Sequence, residues 1–211
     1  RALDAEPIPV AVTGDDKEGR VVRELFEARG IATGCVLTDP GRPTTVKTRV
    51  LGGTQQRHPH HMMRVDREES FPIAADLLER FLGLIEGALP EVDLVLISDY
   101  NKGVCAAEMI PRLIRLADAA GVPVVADPVR DTDYRRYAGC RCITPNRIEA
   151  GLAAGLHIET PEDGLLAAKE LVSLGIESVM VTMDKDGIAW ANSKGDSAHF
   201  PCRQRQVCDV T

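Results

Sequence analysis

The 211-residue sequence lacks any run of about 20 apolar residues, the length that a helix needs to cross a bilayer. Its first residues also lack the charged, apolar and cleavage regions of a secretory signal peptide. These absences predict a cytoplasmic protein without a membrane partner. With 44% hydrophobic and 27% charged residues, the composition is typical of a globular protein, and the length favours one domain.

An excess of basic residues is also absent. The formal net charge is -7 at pH 7, whereas nonspecific binding of a nucleic-acid duplex needs a basic face that neutralises its phosphates. We therefore expect no nucleic-acid partner. A small anionic substrate stays compatible with this charge, because a few local cations are enough to bind it.

Disulfide and metal-binding motifs are missing as well. The six cysteines are scattered along a chain that is not small, which indicates reduced thiols. Neither the pair Cys140 and Cys142 nor the cluster His58, His60 and His61 has the spacing of a known zinc motif. We interpret them as core thiols and a solvated loop.

The common nucleotide signatures are not present either. The sequence contains no Walker loop, no Gly-x-Gly-x-x-Gly motif and no zinc-protease helix. The chain starts at Arg1 without an initiator Met and stops at Thr211 without a C-terminal helical pattern. We therefore expect a piece of a longer chain at both ends.

What the sequence does contain is an alternation of apolar, β-rich runs with segments of helical period. Strands are predicted around residues 10–12, 94–97, 122–126, 142–144 and 179–181. Helices are predicted around residues 17–29, 77–88, 109–117 and 161–174, with a further helix around Glu149. Continuous apolar strands between helices predict a mostly parallel sheet covered on both faces. After the turn Asp186-Gly187, short runs at 188–190 and 198–200 predict an antiparallel edge.

One stretch departs from this alternation. Residues 44–51 and 62–66 are β-like and are separated by glycines and a polar segment, which predicts a projecting β-hairpin over residues 44–66 that acts as a lid. Lys47 and Arg49 share one face of the first strand, and Arg64 lies on the second. A clamp for an anionic substrate and a merely solvated charged strand both fit, and the pattern alone favours the second.

Polar residues follow the predicted parallel strands, where ligands bind in open α/β sheets. Asp99 and Lys102 fit an acceptor and a cation for a sugar phosphate, although a helix cap and a solvated lysine fit the same spacing. Asp127 with Pro128 is weak evidence by itself, because an aspartate before proline is common in turns, and its position at a strand end carries the weight. Thr182 ends the last strand of the series.

Asn146 and Glu149 allow two interpretations of equal weight. They have the spacing of a capping box at a helix N-terminus, which is a complete structural explanation. Alternatively, the amide and the carboxylate approach nucleotide phosphates through Mg²⁺ or its waters.

Several segments of the chain, taken in one order, closely resemble the heptose 7-phosphate kinases, a branch of the ribokinase-like (PfkB) carbohydrate kinases. These kinases form part of a bifunctional heptose kinase and adenylyltransferase. The similarity covers essentially the whole chain, and its segments are residues 45–51, 63–68, 96–103 (LISDYNKG), 125–128, 133–137, 143–149 (ITPNRIE) and 207–211 (VCDVT). The SDY-x-KG and TPN-xx-E motifs are specific in combination.

The resemblance implies a ribokinase-like three-layer α/β/α fold with a small β lid, and a homodimer. It also implies transfer of a phosphoryl group from ATP, with Mg²⁺, to the anomeric hydroxyl of D-glycero-β-D-manno-heptose 7-phosphate, which gives the 1,7-bisphosphate for ADP-heptose and lipopolysaccharide. The ATP-binding residues implied in this way are Asn146, Arg147, Ile148, Glu149 and Thr182, with Glu149 at Mg²⁺ directly or through water. The substrate-binding residues are Lys47, Arg49, Arg64, Asp99, Lys102 and Asp127.

The chain departs from the family pattern at several places. A Gly-Gly-Ala-Ala-Asn sugar-binding segment would precede Arg1, and the Gly-Ala-Gly-Asp motif with the catalytic base would follow Thr211. We therefore expect no catalytic base in residues 1–211 and no activity of this piece alone. The family's lysine after Asp-Pro is replaced by Val129, with Arg130 as a nearby cation, and residues 57–61 extend the lid. Another ribokinase-like kinase and a noncatalytic sugar-phosphate-binding protein are the alternatives.

Overall fold

The computed structural model describes residues 4–52, 60–106, 108–131 and 133–202. These residues fall into two compact units. The first unit holds the described parts of 4–84 and 102–104, and the second holds those of 85–101 and 105–202. Among the described residues, no helix is both long and apolar enough to cross a membrane.

The first unit is built from short strands and two helices. Its elements are β1 (Ala11–Gly14), α1 (Lys17–Glu27), β2 (Val36–Asp39), β3 (Val46–Gly52), β4 (His60–Arg67) and most of α2 (Ala75–Ala88). β1 and β2 form a parallel two-stranded sheet. The sequence analysis did not predict β2. β1 was predicted as a strand, and its partner in the described structure is β2.

The predicted hairpin is confirmed. β3 and β4 pair antiparallel from Val46 opposite Arg67 to Val50 opposite Met63, and the register shifts at a bulge after Val50. Among the described strands they pair only with each other. β4 begins earlier than expected, so that His60 and His61 belong to a strand and not to a loop, while His58 lies outside the described residues.

Side chains alternate along the hairpin, and the two faces therefore differ. One face carries charged residues, with Lys47 opposite Asp66 and Arg49 opposite Arg64. The other face carries Thr48 opposite Val65 and Val50 opposite Met63. Val50, Met63 and Val65 are 39%, 56% and 50% exposed. The hairpin thus presents an uncovered apolar face as well as a charged one.

The second unit contains the mixed six-stranded sheet that the alternating pattern predicts. Its strands are β5 (Val95–Ser98), β6 (Val124–Asp127), β7 (Cys142–Ile143), β8 (Ser178–Thr182), β9 (Ile188–Asn192) and β10 (Ser197–Phe200), in the order β10-β9-β8-β7-β6-β5. β5 to β8 are parallel, whereas β9 and β10 are antiparallel as expected. The helices are α3 (Met109–Ala119), α4 (Arg147–Ala154) and α5 (Pro161–Val172), with a 3₁₀ turn at Tyr134–Tyr137.

A row of apolar side chains across this sheet forms the core of the second unit. Its members pair strand by strand and are at most 4% exposed: Ile97, Ala126, Ile143, Val179 and Ala191. α5 packs against β8 and β9. The opposite face is less covered, because Leu96 is 67% and Met180 is 38% exposed. The sequence predicted a sheet that is covered on both faces. Within the described residues, one face of the six-stranded sheet is buried and the other is partly exposed.

Candidate active site

The parallel strands of the second unit place several predicted site residues along one edge of the sheet. Ser98 pairs with Asp127, and the backbone N–H of Asp99 donates to the carbonyl of Asp127 at 3.0 Å. Asn146 forms a parallel bridge with Thr182. Asp127, Asn146 and Thr182 are exposed there. The carboxyl ends of β5 to β8 thus carry exposed polar groups, as the sequence predicted.

Asp99 occupies a different environment from the one that the sequence suggested. Its side chain is 1% exposed. Oδ2 accepts hydrogen bonds from Arg136 at 2.6 Å and from the hydroxyl of Tyr137 at 2.9 Å, while Oδ1 accepts from the N–H of Asn101 at 2.9 Å. Both carboxylate oxygens are therefore engaged within the protein, and Asp99 supports its loop without presenting itself to solvent.

Sequence reasoning missed Arg136 and Tyr137 as the partners of Asp99. The guanidinium of Arg136 lies 5.0 Å from the centre of the Tyr137 ring, and its Nε is buried without a hydrogen-bond partner among the described residues. Burial, followed by the nearby Asp99 charge, raises the pKa of Tyr137 above its usual range, so that the phenol stays protonated and donates. The local sequence feature that could have pointed to these partners is the run Tyr134-Arg135-Arg136-Tyr137 after Asp133.

The N-terminus of α4 contains the predicted capping box. Oδ1 of Asn146 accepts from the N–H groups of Ile148 at 2.9 Å and Glu149 at 3.0 Å, and Oε2 of Glu149 accepts from the N–H of Asn146 at 2.8 Å. The box uses one polar atom of each side chain, which leaves Nδ2 of Asn146 and Oε1 of Glu149 outside it. The structural and the functional interpretations are therefore compatible.

A single carboxylate in this position fits Mg²⁺, which keeps several waters and commonly takes one or two carboxylates together with substrate phosphates. The described residues contain no group of three His, Cys, Asp or Glu side chains that could hold a metal ion by itself. Glu149 would therefore hold Mg²⁺ jointly with nucleotide phosphates.

Cys140 is a core thiol, and burial raises its pKa to about 12.

Two further residues implied at the ATP site have other surroundings. Arg147 donates to the carbonyls of Ile158 at 3.2 Å and Met183 at 2.9 Å, and to Asp186 at 2.6 Å. It therefore ties the start of α4 to the segment that follows β8. Ile148 is 60% exposed and contributes its N–H to the capping box.

In the first unit, the predicted cations of the hairpin lie close to one another. Lys47 Nζ donates to Asp66 at 3.0 Å and to Glu68 at 2.9 Å, and Lys102 Nζ donates to the other oxygen of Glu68 at 2.5 Å. Arg64 donates to Asp66 at 2.8 Å. We call Lys47, Arg49, Arg64 and Lys102, with Asp66 and Glu68, the cation cluster. Glu68 was missed because nothing in its sequence context indicated that it bridges Lys47 and Lys102.

The electrostatics of the cation cluster favour an anionic ligand. Hydrogen bonds from Lys102 and Lys47 lower the pKa of Glu68, and the Lys47 bond lowers that of Asp66, so both carboxylates are ionised at neutral pH. Arg49 lies directly opposite Arg64 across the hairpin, and like charges in this position repel each other. Four cations against two carboxylates leave an excess of two positive charges.

The buried Arg42 fixes the loop that carries Lys102. Its guanidinium donates to Asp39 at 3.0 Å, to the carbonyl of Lys102 at 2.9 Å and to the carbonyl of Phe71 at 2.9 Å. It also lies 4.8 Å from the centre of the Phe71 ring. The backbone of Lys102 is therefore held while its side chain reaches Glu68.

A parallel sheet with exposed polar residues at its carboxyl edge, accompanied by a charged hairpin, defines an α/β protein of the class that binds small ligands beyond its strand ends. Comparison with known families specifies the class further. The model of the pfkB family of carbohydrate kinases matches residues 9–211, and the chain belongs to this family. Members of the family are phosphotransferases that act on sugars.

Two curated relatives agree with this assignment. The chain is 40% identical over 211 residues to the bifunctional protein HldE of Paramagnetospirillum magneticum and covers 42% of that protein. It is 36% identical over 213 aligned residues to the bifunctional protein HldE of Helicobacter pylori and covers 44% of it. The chain thus spans less than half the length of these relatives.

Solved structures show the same fold. Arabidopsis thaliana ribokinase, solved with ribose and ATP, matches with a TM-score of 0.65 and 18% identity over 91% of this chain and 60% of that one. Thermotoga maritima ribokinase matches with a TM-score of 0.62 and 18% identity over 96% of this chain and 62% of that one. The fold is therefore ribokinase-like.

Proposed function

We propose that the protein is an ATP-dependent kinase of D-glycero-β-D-manno-heptose 7-phosphate. It would phosphorylate the anomeric hydroxyl to give the 1,7-bisphosphate, a precursor of ADP-heptose. The pfkB membership supplies the reaction class, and the segments that resemble heptose kinases supply the substrate.

The observation that carries the choice of a phosphorylated sugar is the cation cluster. Its excess of two positive charges is the complement of a phosphate monoester, which carries close to two negative charges at pH 7. Lys47 and Lys102 already bind carboxylate oxygens in this geometry. A phosphate that enters the cluster would meet donors that are already held in place.

Mg²⁺–ATP would bind at the carboxyl edge of the sheet in the second unit, near Asn146, Glu149 and Thr182. When bound, Mg²⁺ neutralises phosphate charge. The protein's own contribution is to hold donor and acceptor and to surround the charge that develops during transfer.

The resemblance assigns the general base to none of the residues 1–211, so Asp127 is proposed to bind sugar and not to remove its proton. Asp127→Asn should raise KM for the sugar phosphate and lower kcat less than tenfold in the full-length protein. General-base assistance is typically worth ~10²- to 10⁴-fold. A kcat loss of that size in the variant would identify Asp127 as the base.

The test of the proposal compares substrates in an ADP-release assay. Full-length protein with Mg²⁺–ATP should turn over heptose 7-phosphate in preference to free heptose. Lys47→Ala, Arg49→Ala and Lys102→Ala should narrow that preference, because each variant removes a cation that would bind the phosphate and would have no such partner on the free sugar. Preference for another sugar or a nucleoside would indicate a different ribokinase-like kinase. Binding of the sugar phosphate without turnover would indicate a noncatalytic sugar-phosphate-binding protein.

We also propose that the protein is a homodimer and that the apolar face of the hairpin lies in its interface. Val50, Met63 and Val65 form that face, and all three are exposed. Contiguous exposed apolar residues are unfavourable in a monomer, and a two-stranded hairpin is marginal by itself.

A further inference from the structure

Asp16 contacts both the segment that leads into β3 and the last residue of β4. The N–H of Thr44, two residues before β3, donates to Oδ2 at 2.9 Å, and the Thr44 hydroxyl donates to Oδ1 at 2.6 Å. Arg67, the last residue of β4, donates to Oδ2 at 2.8 Å. The fourth bond comes from the N–H of Gly19 to Oδ1 at 2.9 Å and caps α1. Three of its four hydrogen bonds therefore go to the hairpin.

The backbone around Asp16 packs too closely for this to be a casual surface contact. A Cβ atom built on Gly14 would lie 2.5 Å from the carbonyl oxygen of Arg42, and one built on Gly19 would lie 3.0 Å from the hydroxyl oxygen of Thr44. The N–H of Gly14 also donates to that hydroxyl at 2.9 Å. The segment that leads into β3 is thus seated against the turn before α1, and only glycine permits the approach.

We propose that Asp16 is a positioning residue for the cation cluster, because its carboxylate holds both ends of the hairpin on the first turn of α1. Arg67 lies between Asp66 and Glu68 in the sequence, and its side chain leaves β4 on the face opposite to Asp66. Its bond to Asp16 therefore fixes the end of β4, where Asp66 lies and after which Glu68 follows. Thr44 fixes the strand that carries Lys47. This inference rests on the proposed function, since the cluster is proposed to bind the sugar phosphate.

The state of Asp16 agrees with this role. The hydroxyl of Thr44, followed by its N–H, lowers the pKa of Asp16 to about 2. The carboxylate is therefore ionised at every pH at which a kinase works, and all four bonds are available.

The variant Asp16→Asn keeps the helix cap of α1 and loses two of the three hydrogen bonds to the hairpin. Asparagine caps helices as well as aspartate does, and its Oδ1 keeps the bonds from Gly19 and from the Thr44 hydroxyl. Its Nδ2 cannot accept from the Thr44 N–H or from Arg67. Glu18→Gln is the matched control, because Glu18 accepts from Arg67 at 2.9 Å and is not the residue that caps α1.

The experiment measures amide hydrogen exchange and steady-state kinetics in the full-length protein. Asp16→Asn should speed exchange in residues 46–52 and 60–67 by about tenfold, the size expected for losing hydrogen bonds to a charged group. It should raise KM for heptose 7-phosphate roughly threefold to tenfold and leave KM for ATP unchanged. Glu18→Gln should resemble the wild type, and Arg67→Gln should shift both quantities in the direction of Asp16→Asn.

Unchanged hairpin exchange in Asp16→Asn would overturn the inference, and so would equal increases in the two KM values. If Asp16→Asn fails to fold, the exchange and kinetics of Arg67→Gln decide the matter by the same criteria. A wild-type protein that does not phosphorylate heptose 7-phosphate would refute the proposed function. The exchange data would in that case still show whether Asp16 holds the hairpin.

Discussion

Glu149 combines a structural and a proposed catalytic role within one side chain. Glu149→Gln keeps an oxygen that can accept from the Asn146 N–H, so the melting temperature should stay nearly unchanged. The loss of charge next to Mg²⁺–ATP should lower kcat about tenfold or more. Activity assays and thermal denaturation of the full-length protein test both halves of this prediction.

Asp163→Asn provides the matched control, because Asp163 completes the capping box of α5 and no nucleotide contact is assigned to it. It should leave kcat near the wild-type value. Wild-type turnover in Glu149→Gln would reduce Glu149 to a helix cap.

Asp99 and Arg136 form a largely buried ion pair in the second unit. Arg136→Met leaves the carboxylate of Asp99, 1% exposed, without its cation, and breaking such a pair typically costs about 3–5 kcal/mol. The double variant Asp99→Asn/Arg136→Met should be less destabilised than the sum of the single variants. Urea denaturation of the four proteins measures this coupling, and additive effects would contradict it.

The hairpin should lose stability in acid. A carboxyl group with a lowered pKa contributes stability above its ordinary pKa and loses that contribution as the pH falls through its lowered value. For Asp16 this window runs from the ordinary pKa of 3.8 down to about 2, and the lowered pKa values of Asp66 and Glu68 act in the same direction. The melting temperature should therefore fall over this window, and less in Asp16→Asn, whose side chain does not titrate.

At the scale of elements, the apolar face of the hairpin can be tested as the proposed dimer interface. Val65→Glu places a charge on the apolar face and should convert the proposed dimer into a monomer, as measured by light scattering with size-exclusion chromatography. Val21→Glu is the matched control, because Val21 is an exposed apolar residue on α1. If the wild type is a monomer, or if Val65→Glu remains a dimer, the proposed interface is wrong.

The elements that the sequence predicted well are those whose pattern is local. β5, β6 and β8 are apolar runs between helical segments, and the spacing from Asn146 to Glu149 predicted the capping box of α4. The residues that were missed act across long separations. Arg42 and Lys102 are 60 residues apart, and Asp99 and Arg136 are 37 apart. No periodicity within one element reports a contact of this kind.

At the scale of the whole molecule, the two proposed ligands should protect different units. Heptose 7-phosphate should slow amide exchange in residues 46–52 and 60–67 of the first unit. Mg²⁺–ATP should slow it in residues 144–150 of the second, because a ligand that binds the folded state suppresses local opening. Sugar-phosphate protection confined to the second unit would remove the cation cluster from the substrate site.

The bulge in the hairpin separates the pairs at its base from the last described pairs of β3 and β4. Below the register shift after Val50, the pairs from Val46 with Arg67 to Val50 with Met63 fix the charged and apolar faces. Met62 is the extra residue of β4 at this bulge, and the pairs beyond it keep the shifted register, with Leu51 opposite His61 and Gly52 opposite His60. A change in the pairing beyond the bulge would therefore leave Lys47 and Arg64 on the charged face, because the pairs that hold these two residues lie on the other side of it.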